Sequence, residues 1–307
     1  MAEFTLRQLA YFVAVAQAGT IVEAAAALHV SPSAVSASLT DLERVLDAQL
    51  CVRRKAHGVS LTPTGARFFA QAKELLAQAE QIEHETKAPE GQLSGPLTVG
   101  CYLSLSPTVV PRLLQGFSER YPLVTLNFFE GTQDELTNRL ASGELDLLVL
   151  YDMDVAPNPA RVTLFSPRPY VIVHPKHPLA AAGRVALADL VDEPFILMDA
   201  PPSSQNTLAV FEARGLTPLV RHRTFSYELT RALVGRNLGY SVLVQRPFGD
   251  MTYEGNRISV LEIDPPAPAV EVILTWMQDA RLSPAAAAMV TFARDEFAPT
   301  SPITPTV

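Results

Sequence analysis

The stretch "LHVSPSAVSASLTDLER" (residues 28–44) decides the fold of the first part of the chain. Serine is a preferred helix N-cap and proline a preferred first helical residue, so Ser31 and Pro32 open a helix. At about 100° per residue, Val35, Leu39, Leu42 and Leu46 fall on one stripe, which is the core side. The opposite side carries Ser33, Ala37, Thr40 and Arg44, with Asp41 beside them and Ser36 on the flank. The residues facing away from the core are small and nearly free of positive charge, so this helix is shaped for a narrow space.

Upstream, Phe4, Leu9, Phe12, Val13 and Ala16 recur at helical spacing, so a first helix is expected over residues 4–17. Gly19 and Thr20 end it and cap a short alanine-rich helix, "IVEAAAALHV". Downstream, "QLCVRRKAHGVSLTPTG" reads as strand, turn, strand, with Arg53, Arg54 and Lys55 leading into a turn at His57 and Gly58. Three short helices followed by a basic hairpin predict a winged helix-turn-helix over residues 1–62. Residues 63–87 form one long helix of about 36 Å at 1.5 Å per residue. Its apolar positions (Phe68, Phe69, Ala72, Leu75, Leu76, Ala79, Ile82) have no evident cover in so small a domain. A second copy of the chain is the expected partner. "APEGQLSGP" (88–96) then reads as a linker, so residues 63–95 are a dimerising helix and hinge.

Beyond it the pattern changes to alternating strands and helices. Strands are expected at "LTVGCYL", "VTLNFFE" and "LDLLVLY", with helices over 107–119 and 132–142. A second unit offers "YVIVHP", "FILMD", "LVRHRTF" and "YSVLVQRP", with helices over 203–213 and 227–235. "VEVILTWMQ" and "SPAAAAMVTFARDEFA" close the chain before a Pro/Thr-rich tail. These strands lack clean polar alternation, as in a parallel sheet covered on both faces. No internal repeat is detectable.

The bulk numbers narrow the function. At 307 residues the chain is too long for one ordinary core. Its net charge of −8 lies wholly beyond residue 62, because residues 1–62 hold five basic and five acidic groups. That balance argues against general coating of nucleic acid and leaves room for a local basic face. Two cysteines cannot make a disulfide framework, and no secretory leader or long apolar run is visible. A cytoplasmic setting is expected. Six scattered histidines show no metal spacing, no glycine-rich loop opens a helix, and "GCYLS" is not a nucleophile elbow. No cofactor, metal or catalytic residue is expected. Cys101 reads as a buried small hydrophobe, Trp276 as core and His57 as a plain turn residue.

The pieces "LRQLAYFVAVAQAGTIVEAAAALHVS", "LTDLE", "GVSLTPTG", "GPLTVG" with "YPLVTLNFFEGT", "LASGELDLLVLY" and "LTWMQDARLSPAA" resemble the LysR-type transcriptional regulators, in order and spacing, from Leu6 to about Phe297. The resemblance implies an α/β protein with a winged helix-turn-helix head, a dimerising linker helix and a two-lobed effector domain over residues 96–307, of the type II periplasmic-binding-protein kind. One lobe is expected at about 96–165 plus 268–300 and the other at about 166–267. It implies double-stranded promoter or operator DNA, a small-molecule effector and a second copy as partners, as homodimer or homotetramer, and no membrane. Where the family often carries polar or basic residues, this chain has Pro32, Ala37, Thr40 and Asp41.

On this reading the DNA-contact candidates are Ser31, Ser33, Ser36, Ala37, Thr40 and Arg44 on the helix and Arg53, Arg54 and Lys55 on the wing. Hydroxyls and methyl groups suit base edges, whereas the basic run suits phosphate. The bland alternative is a solvated helix face and an ordinary charge run. The effector candidates are Leu103, Ser104, Thr132, Ser203, Ser204 and Tyr227, at strand-to-helix junctions where an anion meets free helix N–H groups. Simple N-capping is the alternative for Ser104, its neighbour Ser106 and Thr132. An organic acid is the expected ligand, with Asp199 and Glu228 weighing against a negative charge. The rival functions are an enzyme or a plain small-molecule-binding module on the same two-lobed scaffold.

Overall fold

The computed structural model describes residues 3–54, 58–87, 89, 92–153, 160–278 and 280–298. The chain divides into two compact units, Met1–Gly95 and Pro96–Val307.

In the first unit, α1 (Leu6–Ala18), α2 (Ile21–Ala27) and α3 (Pro32–Val45) precede a hairpin of β1 (Cys51–Arg54) and β2 (Gly58–Leu61) and the long α4 (Pro63–Lys87). α1 starts two residues later than its apolar spacing suggests. Thr5 takes the N-cap, and its side chain and that of Gln8 satisfy each other's backbone N–H groups. Gly19 ends α1 at φ 72° and Thr20 caps α2. Ser31 caps α3 with Pro32 in its first turn. Val35, Leu39 and Leu42 are fully buried, and Leu46 is the C-cap, packed at the edge of the same core.

The hairpin is tied down at both ends. The Glu43 carboxylate accepts from Leu50 N and Cys51 N at 2.8 and 2.9 Å, which fixes the start of β1 to α3. Val59 N donates to Gly19 O at 2.7 Å, which fixes β2 to the α1–α2 turn.

The apolar stripe of α4 is not bare along its length, contrary to the expectation from sequence. Phe12 of α1 lies 5.3 Å from Phe68 and 6.4 Å from Phe69, ring centroid to centroid, and Ala72 is buried in the core of its own chain. The helix spends its first turns completing the head. Only further along are Leu75 and Ile82 exposed, at 40% and 65%.

The second unit has two lobes. In the first, β3 (Ser94–Tyr102), α5 (Ser106–Arg120), β4 (Leu123–Gly131), α6 (Gln133–Ala141), β5 (Leu147–Tyr151) and β6 (Arg161–Phe165) appear in order. In the second come β7 (Tyr170–Val173), β8 (Arg184–Val185), β9 (Pro194–Met198), α7 (Ser203–Glu212), β10 (Leu219–Thr224), α8 (Tyr227–Gly235), β11 (Ser241–Leu243) and β12 (Ser259–Ile263). The chain then returns through β13 (Val272–Thr275) and α9 (Pro284–Glu296) to the first lobe. The first sheet has the order β4-β3-β5-β13-β6, the second β11-β7-β12-β8, and β9 and β10 form a separate parallel pair.

Neither main sheet is simply parallel. β13 runs antiparallel to β5 and β6, and β7 antiparallel to β11 and β12. Central β5 is buried throughout, so its alternation is lost for the expected reason. β4 is an edge strand with an alternating pattern. β6, β8 and β12 escape prediction because each is short and none is buried along its whole length. Trp276 is half-buried rather than core. The two connections between the lobes lie side by side, joined by Val270 N to Pro167 O and by Arg168 to Ala267 O, both 2.8 Å.

Candidate nucleic-acid interface and candidate ligand cleft

α3 presents Ser31, Ser33, Ala37, Thr40, Asp41 and Arg44 to solvent, while Ser36 is half-buried on the flank. The side chains are already engaged. Ser31 Oγ accepts from Ala34 N at 3.2 Å and lies 3.0 Å from Ser33 Oγ. Thr40 Oγ1 donates to Ser36 O at 3.0 Å. Arg44 reaches Asp41 at 3.2 Å across the exposed helix surface. Such a pair contributes little to stability, and it offsets the only cation on this face. The outer face is therefore low in profile, rich in hydroxyls and close to neutral.

Arg53 and Arg54 lie in β1, opposite Val59 and Gly58 of β2. Lys55 and His57 fall outside the described residues. The hairpin and α3 are coupled through Glu43, which accepts from the backbone at the start of β1.

In the second unit the lobes meet around Ser104, Tyr151, Met198, Ser203, Thr207, Tyr227, Val242, Leu243, Val244 and Gln245. The space they enclose is about 10 Å³, which is room for about one water. Of the residues expected there, Ser104, Ser203 and Tyr227 line it. Leu103, Thr132 and Ser204 do not. Leu103 is exposed, and Thr132 is the N-cap of α6 in a reciprocal arrangement with Glu135. Ser204 is buried with its hydroxyl on Gln205. Ser104 is not a cap: α5 begins after Leu105, without a side-chain cap, and the Ser104 hydroxyl points to Tyr151 at 3.5 Å.

Sequence reasoning missed Tyr151, Thr207 and Gln245, and with them Tyr102. Tyr102 and Tyr151 are the last residues of neighbouring parallel strands, β3 and β5. The rule that sites gather beyond strand C-termini would have selected both. The Tyr102 hydroxyl lies 3.2 Å from Ala200 O, Pro201 O and Ser203 Oγ of the other lobe. Tyr170 and Tyr227 both donate to Gln245 O, and the Gln245 amide donates to Thr108 Oγ1 of the first lobe. Burial, the largest cause in each case, lifts the phenols of Tyr102, Tyr151, Tyr170 and Tyr227 above their ordinary range. All four stay neutral hydrogen-bonding groups at physiological pH. Arg231, itself buried, sits behind Tyr227 and spends its guanidinium on Gly249 O, Met251 O and Glu228.

Residues 6–66 match the family described as bacterial regulatory helix-turn-helix protein, lysR family, and residues 90–298 match the LysR substrate binding domain. The chain is 31% identical over 290 residues to the HTH-type transcriptional regulator CfxR of Cupriavidus necator, covering 92% of this chain and 88% of that one. It is 30% identical over 284 residues to a probable hydrogen peroxide-inducible genes activator of Streptomyces viridosporus, covering 88% and 87%. Among solved structures, HinK, a LysR family transcriptional regulator from Pseudomonas aeruginosa, superposes with a TM-score of 0.64 at 33% identity, covering 96% of this chain and 99% of that one. Among the described residues no helix is long and apolar enough to cross a membrane, and no group of acidic, histidine or cysteine side chains is placed to hold a metal.

Proposed function

The chain belongs to the LysR family of transcriptional regulators, and from that membership we propose which residues do its work. It is a ligand-responsive regulator that binds DNA through its winged helix-turn-helix and senses a small molecule in its two-lobed domain. The reading helix is α3, with Ser33, Ala37 and Thr40 toward base edges and Ser31, Ser36 and Arg44 toward the sugar-phosphate margin. Arg53, Arg54 and Lys55 supply the phosphate contacts of the wing. The observation that carries this reading is the low, hydroxyl-rich, near-neutral outer face of α3, fixed by Glu43 to a basic hairpin. Such a face enters a major groove without steric cost and reads it through methyl and hydroxyl groups.

The effector site is the inter-lobe cleft, with Ser104, Ser203, Thr207, Tyr151, Tyr227 and Gln245 as its polar wall. Leu103, Thr132 and Ser204 are assigned to its margin. These hydroxyls and the amide can donate as well as accept, and the first turns of α5 and α7 carry no side-chain cap. An acceptor-rich small molecule such as an organic acid suits them. The lining supplies hydroxyls and an amide but no carboxylate, imidazole or amine, so it has no general base and supports sensing over catalysis. A peroxide-reactive thiol is not the sensing element. Cys101 is fully buried with its thiol pushed up to about 12 by that burial, and Cys51 is buried in the other unit. We place the protein in the cytoplasm, as a dimer or tetramer paired through the exposed part of α4.

Footprinting on DNA upstream of its own reading frame tests the assignment. Two protected half-sites related by a two-fold axis are expected, together with a change in protection when an effector found by screening organic acids is added. Protection that survives Ser33→Ala with Thr40→Val on every sequence alike would remove α3 as the reader.

A further inference from the structure

Ligand pockets ordinarily measure roughly 300 Å³ or more. The pocket between the lobes here measures about 10 Å³, room for about one water, so a molecule of ordinary size fits it only if its walls move apart. What holds them together is specific. From the first lobe, Tyr102 closes on the 200–203 turn, within 3.2 Å of two carbonyls and a hydroxyl. From the second, the Gln245 amide closes on Thr108 in the first turn of α5. Both anchors are themselves braced. The Tyr102 ring packs edge-on against Tyr151 at 5.7 Å, and the backbone of Gln245 is held by Tyr170 and Tyr227 together.

We propose that Tyr102 and Gln245 form a two-point latch that sets how readily the cleft opens, and that an effector enters by breaking and then replacing these bonds. The two points flank one connection. Residues 103–105, between β3 and α5, have Tyr102 at one end and Thr108 just beyond the other, so a single opening event releases both. The two segments that cross between the lobes, joined at Val270 and Arg168, give the lobes a hinge about which to move. The latch makes the second unit a two-state element. A ligand that prefers the open state, or supplies acceptors in place of Ala200 O and Thr108 Oγ1, shifts the balance by its differential affinity. The consequence for signalling rests on the assignment of the cleft as effector site, whereas the latch itself concerns the protein alone.

Hydrogen exchange on the full-length protein, with no small molecule added, tests it. Tyr102→Phe keeps the ring and removes the hydroxyl. Thr108→Val keeps the shape and removes the acceptor together with the hydroxyl's own bond to Leu105 O at 3.0 Å, so for that variant the deciding readout is residues 199–208. Each is expected to speed amide exchange in residues 103–109 and 199–208 about fivefold, the usual weight of one net hydrogen bond, and to leave residues 3–54 unchanged. Rates within twofold of wild type in both variants would overturn the latch. Should Tyr102→Phe fail to fold, Thr108→Val on half-buried α5 decides alone. Effector-dependent DNA binding in the same variants addresses the cleft assignment separately. Faster exchange with an unaltered effector response counts against the cleft as effector site, and unaltered exchange with an altered response counts against the latch.

Discussion

Cys101 lies near the C-terminal end of β3, fully buried, with its thiol raised from 9.0 to about 12 chiefly by loss of solvent. An acid whose folded pKa exceeds its unfolded value holds its proton longer in the folded state. The stability this confers is complete below about pH 9 and is lost as pH rises from there toward 12. At pH 8 the thiol is protonated and shielded, so iodoacetamide is expected to leave Cys101 essentially unmodified until urea unfolds the protein. Mass spectrometry of the alkylated peptide reads this directly, and labelling of the folded chain at the rate of a free thiol would contradict the burial. Reading Cys101 as a small hydrophobe was possible because it sits in a run of apolar strand residues. Tyr102, one residue on, was harder. It belongs to the same strand by pattern, and only the second lobe, brought close by distant chain segments, makes its hydroxyl a bridge. Gln245 was hidden for the same reason, since nothing local distinguishes it from any polar residue after a strand.

At the scale of elements, the tight junctions were legible once their physical purpose is seen. In "LTPTG", Thr62 caps α4 through Gly65 N and hydrogen-bonds Gln49 O, and Pro63 opens the helix. Gly65 has no room for a side chain, because a Cβ there would sit 2.0 Å from Leu50 O. Gly65→Ala should therefore force β1 and α4 apart and lower the stability of the first unit by about 2 kcal/mol or more. Thermal or urea unfolding of the variant checks it, and an unchanged midpoint would mean the junction yields freely. The extent of α4 was read correctly from sequence, but the role of its stripe was misjudged. Helical spacing shows that a face is apolar and not what covers it, and Phe68, Phe69 and Ala72 are covered by α1 from the same chain. For the pairing through α4 proposed above, the large apolar side chains left exposed on this helix are Leu75 and Ile82. Leu75→Ser with Ile82→Ser is expected to weaken dimers in sedimentation with little loss of folding, whereas Phe68→Ala should cost folding first. If Phe68→Ala and the serine pair had the same effect on both readouts, this division of α4 would fail.

For the whole molecule, the decisive fact is where the charge is absent. The chain carries −8, none of it net within residues 1–62, so long-range attraction to DNA is weak and binding depends on contact. On α3 the one exposed cation, Arg44, is paired with Asp41. On the assignment proposed above, the wing then supplies most of the phosphate contacts and Arg44 contributes only at the margin. Each phosphate neutralised on duplex DNA contributes about 0.9 to the slope of log affinity against log salt. With two heads per dimer, Arg53→Ala with Arg54→Ala removes up to four such contacts. The slope should therefore fall by about three to four units, and affinity should drop alike for operator and unrelated DNA. Ser33→Ala or Thr40→Val should leave the slope where it was. Instead, each should narrow the gap between operator and unrelated DNA by about 1–3 kcal/mol per good base contact. Titrations of fluorescent operator and scrambled duplexes from 50 to 300 mM salt separate the two effects. An arginine double variant that keeps the wild-type slope would mean that the phosphates are held elsewhere, and the wing would lose its assigned role.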